Sequence, residues 1–155
     1  ILNLYLAAMA DAVLAQEGTV DKFMGDAIMA WFNAPIPQPD HTLRAVKTAL
    51  AIRESIENLY KELSSDSHLA FGVGIHFGDA VLGLIGTEKR LEYTAISDTV
   101  NTAKRLQENS ARNQIIISQD AYERVKNEVN VKPLSEINVK GRSKPVEVFE
   151  VLGLK

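Results

Sequence analysis

Hydrophobic residues recur at three- and four-residue steps in several parts of the chain, and this spacing predicts helices. In residues 1–16 the repeated apolar positions are Leu2, Tyr5, Leu6, Met9 and Val13. The same pattern predicts a long helix from an N-cap at Asp40 to about residue 63, and another from Ser97 or Asp98 to about residue 107. A shorter helix is predicted over residues 118–126.

Alternating or continuous apolar runs between these helices predict the strands. They cover residues 19–23, 27–32, 69–77, 80–85, 114–117, 129–139 and 146–151. Gly25 and Asp26 are expected at the tip of the first hairpin, and a turn at Gly78-Asp79 is expected to join the third and fourth strands. Residues 86–90 are interpreted as a polar excursion. This order predicts an α+β fold, with helices on a mostly antiparallel sheet, in one domain over residues 1–155.

Composition excludes several classes of function. The chain has 155 residues and a formal net charge of -3, and this acidic balance disfavours binding to nucleic acid or to an anionic membrane. Cysteine is absent, so disulfides and thiolate metal sites are excluded and a cytoplasmic location is expected. No apolar run approaches the roughly 20 residues that span a bilayer, so we expect no direct membrane contact by this domain, with any anchor supplied upstream.

Four segments, in order, resemble the catalytic domain of class III adenylate and guanylate cyclases. They read VDKFMGDA from residue 20, VGIHFG with GLIG from residues 73 and 83, EYT through NTAKRL over residues 92–106, and VKG from residue 139. One segment alone would be weak evidence, whereas four in order form a specific signal. The resemblance covers essentially the whole chain. It implies a ferredoxin-like βαββαβ core with extra strands and helices, lacking the first strand.

The resemblance implies an adenylate cyclase that converts ATP to 3′,5′-cyclic AMP and pyrophosphate, with two Mg²⁺ (or Mn²⁺) ions per site. It implies Asp26 as a metal ligand, although a Gly-Asp pair is also simply a good turn. The second metal aspartate of the family belongs to a strand expected before Ile1, and Asp11 and Asp21 do not replace it. We therefore interpret the chain as an N-terminal truncation that is inactive by itself.

Asn101 and Arg105 are four residues apart and share a helical face. The resemblance implies that they orient the ribose and stabilise the pentavalent phosphorus, which suits the permanently charged, planar guanidinium. The ordinary alternative is a solvated helix face. Lys140 resembles a lysine that contacts the terminal phosphates, and its alternative is a solvated basic turn.

Lys22 and Thr94 resemble the two positions that read the base. Lysine can donate a hydrogen bond to an adenine ring nitrogen, and a hydroxyl can accept one from the exocyclic amine, which favours ATP. Threonine at the second position resembles the bicarbonate-responsive, bacterial-type subgroup. An exposed strand lysine and the β-propensity of threonine are the ordinary alternatives.

The resemblance also implies a homodimer with active sites shared across a two-fold interface. The metal ligands come from one subunit, and the base-reading residues with Asn101 and Arg105 come from the other. Residues 86–93 resemble an arm that crosses to the partner. The alternatives are a non-catalytic cyclase-like module that binds nucleotide or dimerises, and a guanylate cyclase. A diguanylate cyclase is disfavoured because residues 24–28 do not match its hairpin motif.

Overall fold

The computed structural model describes residues 1–87, 90–139 and 141–155, in two compact units, Ile1–Phe71 and Gly72–Lys155. The helices are α1 (Leu2–Ala15), α2 (His41–Glu62), α3 (Asp98–Glu108) and α4 (Gln119–Tyr122). The strands are β1 (Thr19–Met24), β2 (Ala27–Trp31), β3 (Val73–Ile75), β4 (Val81–Thr87), β5 (Arg90–Ile96), β6 (Ile115–Ser118), β7 (Val129–Pro133) and β8 (Val148–Leu154). The predicted α+β class is confirmed, and the single domain over residues 1–155 stays a prediction.

The first unit packs α1 against α2 beside the β1–β2 hairpin. Its core contains two of the predicted apolar positions of α1, Tyr5 and Met9, with Ala12 and with Ile52 and Ile56 of α2; Leu6 packs against this cluster and is partly buried. Tyr5 is fully buried, and its hydroxyl donates to the Ser67 carbonyl at 2.7 Å and accepts from the Leu69 amide at 3.1 Å. The one polar group of this core side chain is therefore satisfied.

The start of α2 differs in detail from the prediction. Asp40 occupies the N-cap position, but its side chain makes no capping hydrogen bond. Its carboxylate instead accepts a hydrogen bond from Arg44 Nε at 2.8 Å, and this bond lowers the pKa of Asp40. The charged side chain of Arg44, four residues later, thus takes the place of the backbone amides as hydrogen-bond donor to the Asp40 carboxylate.

The second unit contains a four-stranded sheet in the order β3-β6-β8-β7. β3 runs parallel to β6, and the other neighbours are antiparallel, as expected for a mostly antiparallel sheet. All four residues of β6 are buried. One core cluster of this unit joins α3 to the sheet and comprises Leu106, Ile116, Ile137, Val139, Val146 and Val148.

The predicted hairpin between residues 69–77 and 80–85 is wrong. β3 is short and pairs with β6, whereas β4 pairs with β5, a strand that the sequence pattern did not predict. The predicted polar excursion at residues 86–90 lies largely within this hairpin, although residues 88 and 89 are outside the described residues. Backbone hydrogen bonds form a strand pair whatever the polarity of the side chains, so polarity alone was a poor guide here.

Two later elements are shorter than predicted. α4 is a single turn instead of a helix over residues 118–126. β7 ends at Pro133 instead of residue 139, consistent with proline's lack of an amide donor for a ladder. Beyond it, one isolated bridge joins Ile137 to Val146.

Candidate active site

Asp26 lies at the tip of the β1–β2 hairpin, as predicted. Met24 pairs with Ala27, which leaves Gly25 and Asp26 as a two-residue loop. Gly25 has φ of 63°, which suits a hairpin turn with glycine at its first central position. The Asp26 side chain is exposed, so its carboxylate oxygens are open to a cation.

Lys22 lies on β1 of the same hairpin, with 38% of its side chain exposed. Its Nζ is 3.7 Å from Oδ2 of Asp21, whose side chain is only 2% exposed. The register of the hairpin shifts between Val20 and Lys22. The ammonium therefore lies beside a buried carboxylate at an irregularity of the strand.

The helix α3 begins at a capping serine and buries only one side. Ser97 is the N-cap, and its hydroxyl accepts from the Val100 amide at 3.4 Å, as predicted for this position. Thr102 and Leu106 are fully buried. Because the helix repeats every 3.6 residues, Asn101 and Arg105 then lie together on the outer side, where both are exposed.

A cleft of about 450 Å³ follows this exposed side of α3. It is lined by Asn101, Lys104, Arg105, Glu108, Asn138 and Val139. The Nε of Arg105 donates to the Asn138 carbonyl at 3.3 Å, a bond that ties the guanidinium to the wall of the cleft. The remaining guanidinium donors can bind an anionic group such as a phosphate.

Close packing of α3 on β3 fixes the position of this cleft. A Cβ on Gly74 would lie 2.4 Å from the Ala103 carbonyl oxygen and 2.5 Å from the Gln107 nitrogen. Only glycine allows the helix backbone to approach the strand so closely. The cleft residues are therefore held by a rigid contact between backbones.

His76 contacts the C-terminal end of β6. Its Nδ1 lies 2.7 Å from the hydroxyl of the fully buried Ser118. Burial lowers the pKa of His76, Asp120 opposes this change, and Arg142 adds to it. A neutral imidazole is favoured in the folded protein.

The predicted site residues thus occupy described positions in both units, with one exception. Asp26 and Lys22 belong to the first unit, and Asn101 and Arg105 share the cleft of the second. Thr94 lies in β5 opposite Gly83. Lys140 lies outside the described residues.

Three polar residues that line the cleft were not predicted from the sequence. Lys104 and Glu108 lie three and seven residues after Asn101, a spacing that could have placed them on its face of the helix. Asn138 comes from a distant segment, and no local pattern indicates it.

A metal site of protein ligands alone is not formed by the described part of the chain. No group of three or more His, Asp or Glu side chains there could hold an ion. Mg²⁺ is often bound through one or two carboxylates together with phosphates and water. The exposed carboxylate of Asp26 fits that mode as one ligand. Among the described residues, no helix is both long and apolar enough to cross a membrane.

Nearly the whole chain matches one known protein family. Residues 2–152 match the family described as the adenylate and guanylate cyclase catalytic domain. Adenylate cyclase 1 of Rhizobium meliloti is 34% identical over 99% of this chain, which covers 24% of that protein. The terminal-differentiation adenylate cyclase of Dictyostelium discoideum is 34% identical over 97% of the chain, which covers 7% of it. The chain thus spans about a quarter or less of the length of these two curated relatives.

Two solved structures extend the comparison. The guanylyl cyclase Cya2 superposes with a TM-score of 0.92 and is 33% identical, over 99% of this chain and 79% of that one. The adenylyl cyclase CyaB from P. aeruginosa superposes with a TM-score of 0.87 and is 30% identical, over 97% of this chain and 80% of that one. The folds agree closely, while the named substrates differ.

Proposed function

Because the chain belongs to the adenylate and guanylate cyclase catalytic domain family, we propose that it acts on ATP, as an adenylate cyclase that forms 3′,5′-cyclic AMP and pyrophosphate. The observation that carries this proposal is the cleft on α3, in which Asn101 and Arg105 lie together beside the Asn138 carbonyl. A helix face that presents an amide and a fixed guanidinium suits a sugar bonded to a phosphate.

Arg105 is proposed to stabilise the charge that develops at the α-phosphate. Its Nε is engaged by Asn138, so the terminal amino groups of the guanidinium stay available in a defined orientation. Asn101 is proposed to hold the ribose through its side-chain amide, which offers both a donor and an acceptor. Together they position the 3′-oxygen for attack in line with the leaving pyrophosphate.

Asp26 is proposed to hold Mg²⁺ or Mn²⁺ at the exposed hairpin tip. Two such ions, when bound, polarise the attacking and the leaving oxygens. A two-ion site needs a second carboxylate, and Asp21 is not a candidate because it is buried beside Lys22. Because the resemblance leaves the family's second metal aspartate unmatched in these 155 residues, we propose that the chain is inactive by itself. Lys140 is proposed to contact the terminal phosphates.

Lys22 and Thr94 are proposed to select adenine. An ammonium donates to a ring nitrogen, and a hydroxyl accepts from the exocyclic amine, which matches adenine better than guanine. Three relatives named as adenylate cyclases support this choice. Guanylate cyclase is the second candidate, favoured by the similarity to Cya2.

A homodimer is proposed to complete each site. Phe23 and Met24, next to the hairpin tip, are 53% and 40% exposed, which suits burial against a second copy. In this arrangement Asp26 of one subunit holds the metal ion at the nucleotide that Asn101 and Arg105 of the other subunit bind. A non-catalytic nucleotide-binding module remains the alternative.

Activity assays with the full polypeptide test substrate and reaction together. The protein is incubated with ATP or GTP and Mg²⁺ or Mn²⁺, and cyclic nucleotides are quantified by mass spectrometry. Cyclic AMP from ATP, with little cyclic GMP from GTP, supports the proposal. Preferred formation of cyclic GMP identifies a guanylate cyclase, and nucleotide binding without either product supports the non-catalytic alternative.

A complementation assay tests the shared site. Asp26→Ala and Arg105→Ala are each expected to abolish activity, and their mixed dimer is expected to recover one intact site of the two. The matched control mixes Asn101→Ala with Arg105→Ala, because both defects then lie on the same side of the divided site and neither site is intact. Equal activity of the two mixtures, with mixed dimers verified, would contradict the arrangement.

A further inference from the structure

The geometry of the first hairpin points to a role for Asp21: we propose that this buried carboxylate positions the Lys22 ammonium and thereby sets the preference for adenine. The inference rests on the proposed function of Lys22. It concerns a residue that acts through its neighbour and does not itself touch the nucleotide.

The contact between the two residues depends on an irregularity of the strand. In a regular strand, adjacent side chains point to opposite faces, so Asp21 and Lys22 would be separated by the sheet. In β1, however, Val20 is opposite Ala30 and Lys22 is opposite Met29, so two steps on one strand match one step on the other. This is a β-bulge, which re-aims side chains locally and lets the two neighbours meet.

The environments of the two charged groups are unequal. The Asp21 side chain is 2% exposed, whereas that of Lys22 is 38% exposed. A buried carboxylate has little rotational freedom and is costly to leave without a cationic or hydrogen-bonded partner. Asp21 therefore provides a fixed negative charge, with Oδ2 located 3.7 Å from Lys22 Nζ.

A fixed carboxylate beside Lys22 reduces the number of rotamers that the lysine side chain can adopt. Lysine is a flexible point charge with three donors, and it must lose rotamer freedom to place one of them on a base. Attraction to Asp21 restricts those rotamers before the nucleotide arrives, and an ammonium has three donors, more than one carboxylate contact uses. Preorganisation of this kind lowers the entropic cost of binding the matching base.

Steady-state kinetics of the full polypeptide with ATP and with GTP test the inference. Lys22→Ala is expected to lower kcat/KM for ATP by about tenfold or more and to reduce the ATP-to-GTP ratio. Asp21→Asn, which keeps the shape of the side chain, is expected to lower kcat/KM for ATP about threefold to tenfold, mainly through KM. Asp11→Asn, an exposed position on α1 with the same change of charge, is expected to match wild type.

The double variant gives the sharper result. If Asp21 acts through Lys22, adding Asp21→Asn to Lys22→Ala causes no further loss of kcat/KM for ATP. The inference would be overturned if the losses of kcat/KM in the two single variants multiplied in the double variant. It would also be overturned if Asp21→Asn had the kinetics of the wild type. An unchanged ATP-to-GTP ratio in Lys22→Ala alone would instead refute the base-reading role of Lys22.

An NMR measurement covers the case in which Asp21→Asn fails to fold. The ammonium signal of Lys22, assigned by its loss in Lys22→Arg, is expected to show restricted motion in the wild-type protein without nucleotide. A signal as mobile as those of exposed lysines would mean that the ammonium is not held, and it would overturn the inference without any variant at position 21.

Discussion

Gly74 permits the backbone contact that holds α3 and its cleft, so Gly74→Ala is the most direct perturbation of the site from a distance. The added Cβ would lie 2.4 Å from the Ala103 carbonyl oxygen and 2.5 Å from the Gln107 nitrogen, and 3.0 Å from the Leu106 Cβ. The first two separations are about 1 Å short of the 3.4 Å at which ordinary contact begins. Backbone atoms cannot rotate away, so the helix must move by about that distance.

The expected cost follows from what the helix buries. Leu106 is fully buried in the cluster that joins α3 to the sheet, and a shift of α3 disturbs that packing. Overpacking of a well-packed core typically costs about 1–3 kcal/mol, and occasionally more. With two clashes against backbone, we expect the free energy of unfolding of the second unit to fall by about 3 kcal/mol. In the full polypeptide, a 1 Å misplacement of Asn101 and Arg105 is expected to lower kcat about 100-fold.

Urea denaturation followed by circular dichroism, together with amide exchange of β6, measures the stability of the second unit. Gly153→Ala is the matched control, because Gly153 also lies in a strand and its added Cβ meets nothing within 4 Å. That variant is expected to change stability by less than about 0.5 kcal/mol. Equal stabilities of the two alanine variants, or full activity of Gly74→Ala, would refute the argument that this contact positions the cleft.

Three further predictions concern single side chains of the second unit. Thr102 has a buried hydroxyl without a hydrogen-bond partner among the described residues. Thr102→Val is therefore expected to raise the free energy of unfolding by about 1 kcal/mol, measured by urea titration. A loss of stability in this variant would contradict the prediction. Arg105→Lys keeps the positive charge but loses the planar guanidinium and its hydrogen bond to the Asn138 carbonyl. We expect kcat to fall at least about tenfold with little change in the free energy of unfolding. Kinetics equal to those of the wild type would argue against phosphate binding by the guanidinium. Burial lowers the pKa of His76 below its usual 6.5. As the pH falls, the unfolded chain therefore binds the proton before the folded protein does. The contribution of His76 to stability is present above pH 6.5 and is lost as the pH falls through the folded-state pKa. His76→Gln is therefore expected to show a weaker decrease of Tm between about pH 7 and pH 5 than wild type, and identical slopes would contradict the argument.

Local sequence determined the elements whose geometry depends on neighbouring residues. The apolar spacing of α1 predicted its buried residues Tyr5, Met9 and Val13, because 3.6 residues per turn is a property of the helix itself. Gly25 and Asp26 form the hairpin tip because only a few residue types suit a two-residue turn. The shared face of Asn101 and Arg105 likewise follows from their spacing of four.

Only the tertiary structure decided which strands pair and what surrounds the site. β3 pairs in parallel with β6, and β4 pairs in an antiparallel hairpin with β5 instead of with β3, although the individual patterns of these segments do not indicate a partner. The Asn138 carbonyl that holds Arg105 is 33 residues away along the chain. The bulge that brings Asp21 to Lys22 depends on the register of β1 against β2. The β3–β6 pair and the contact of Arg105 with Asn138 depend on distant backbone segments meeting in space, and the free energy of such contacts is not encoded in any short window of sequence.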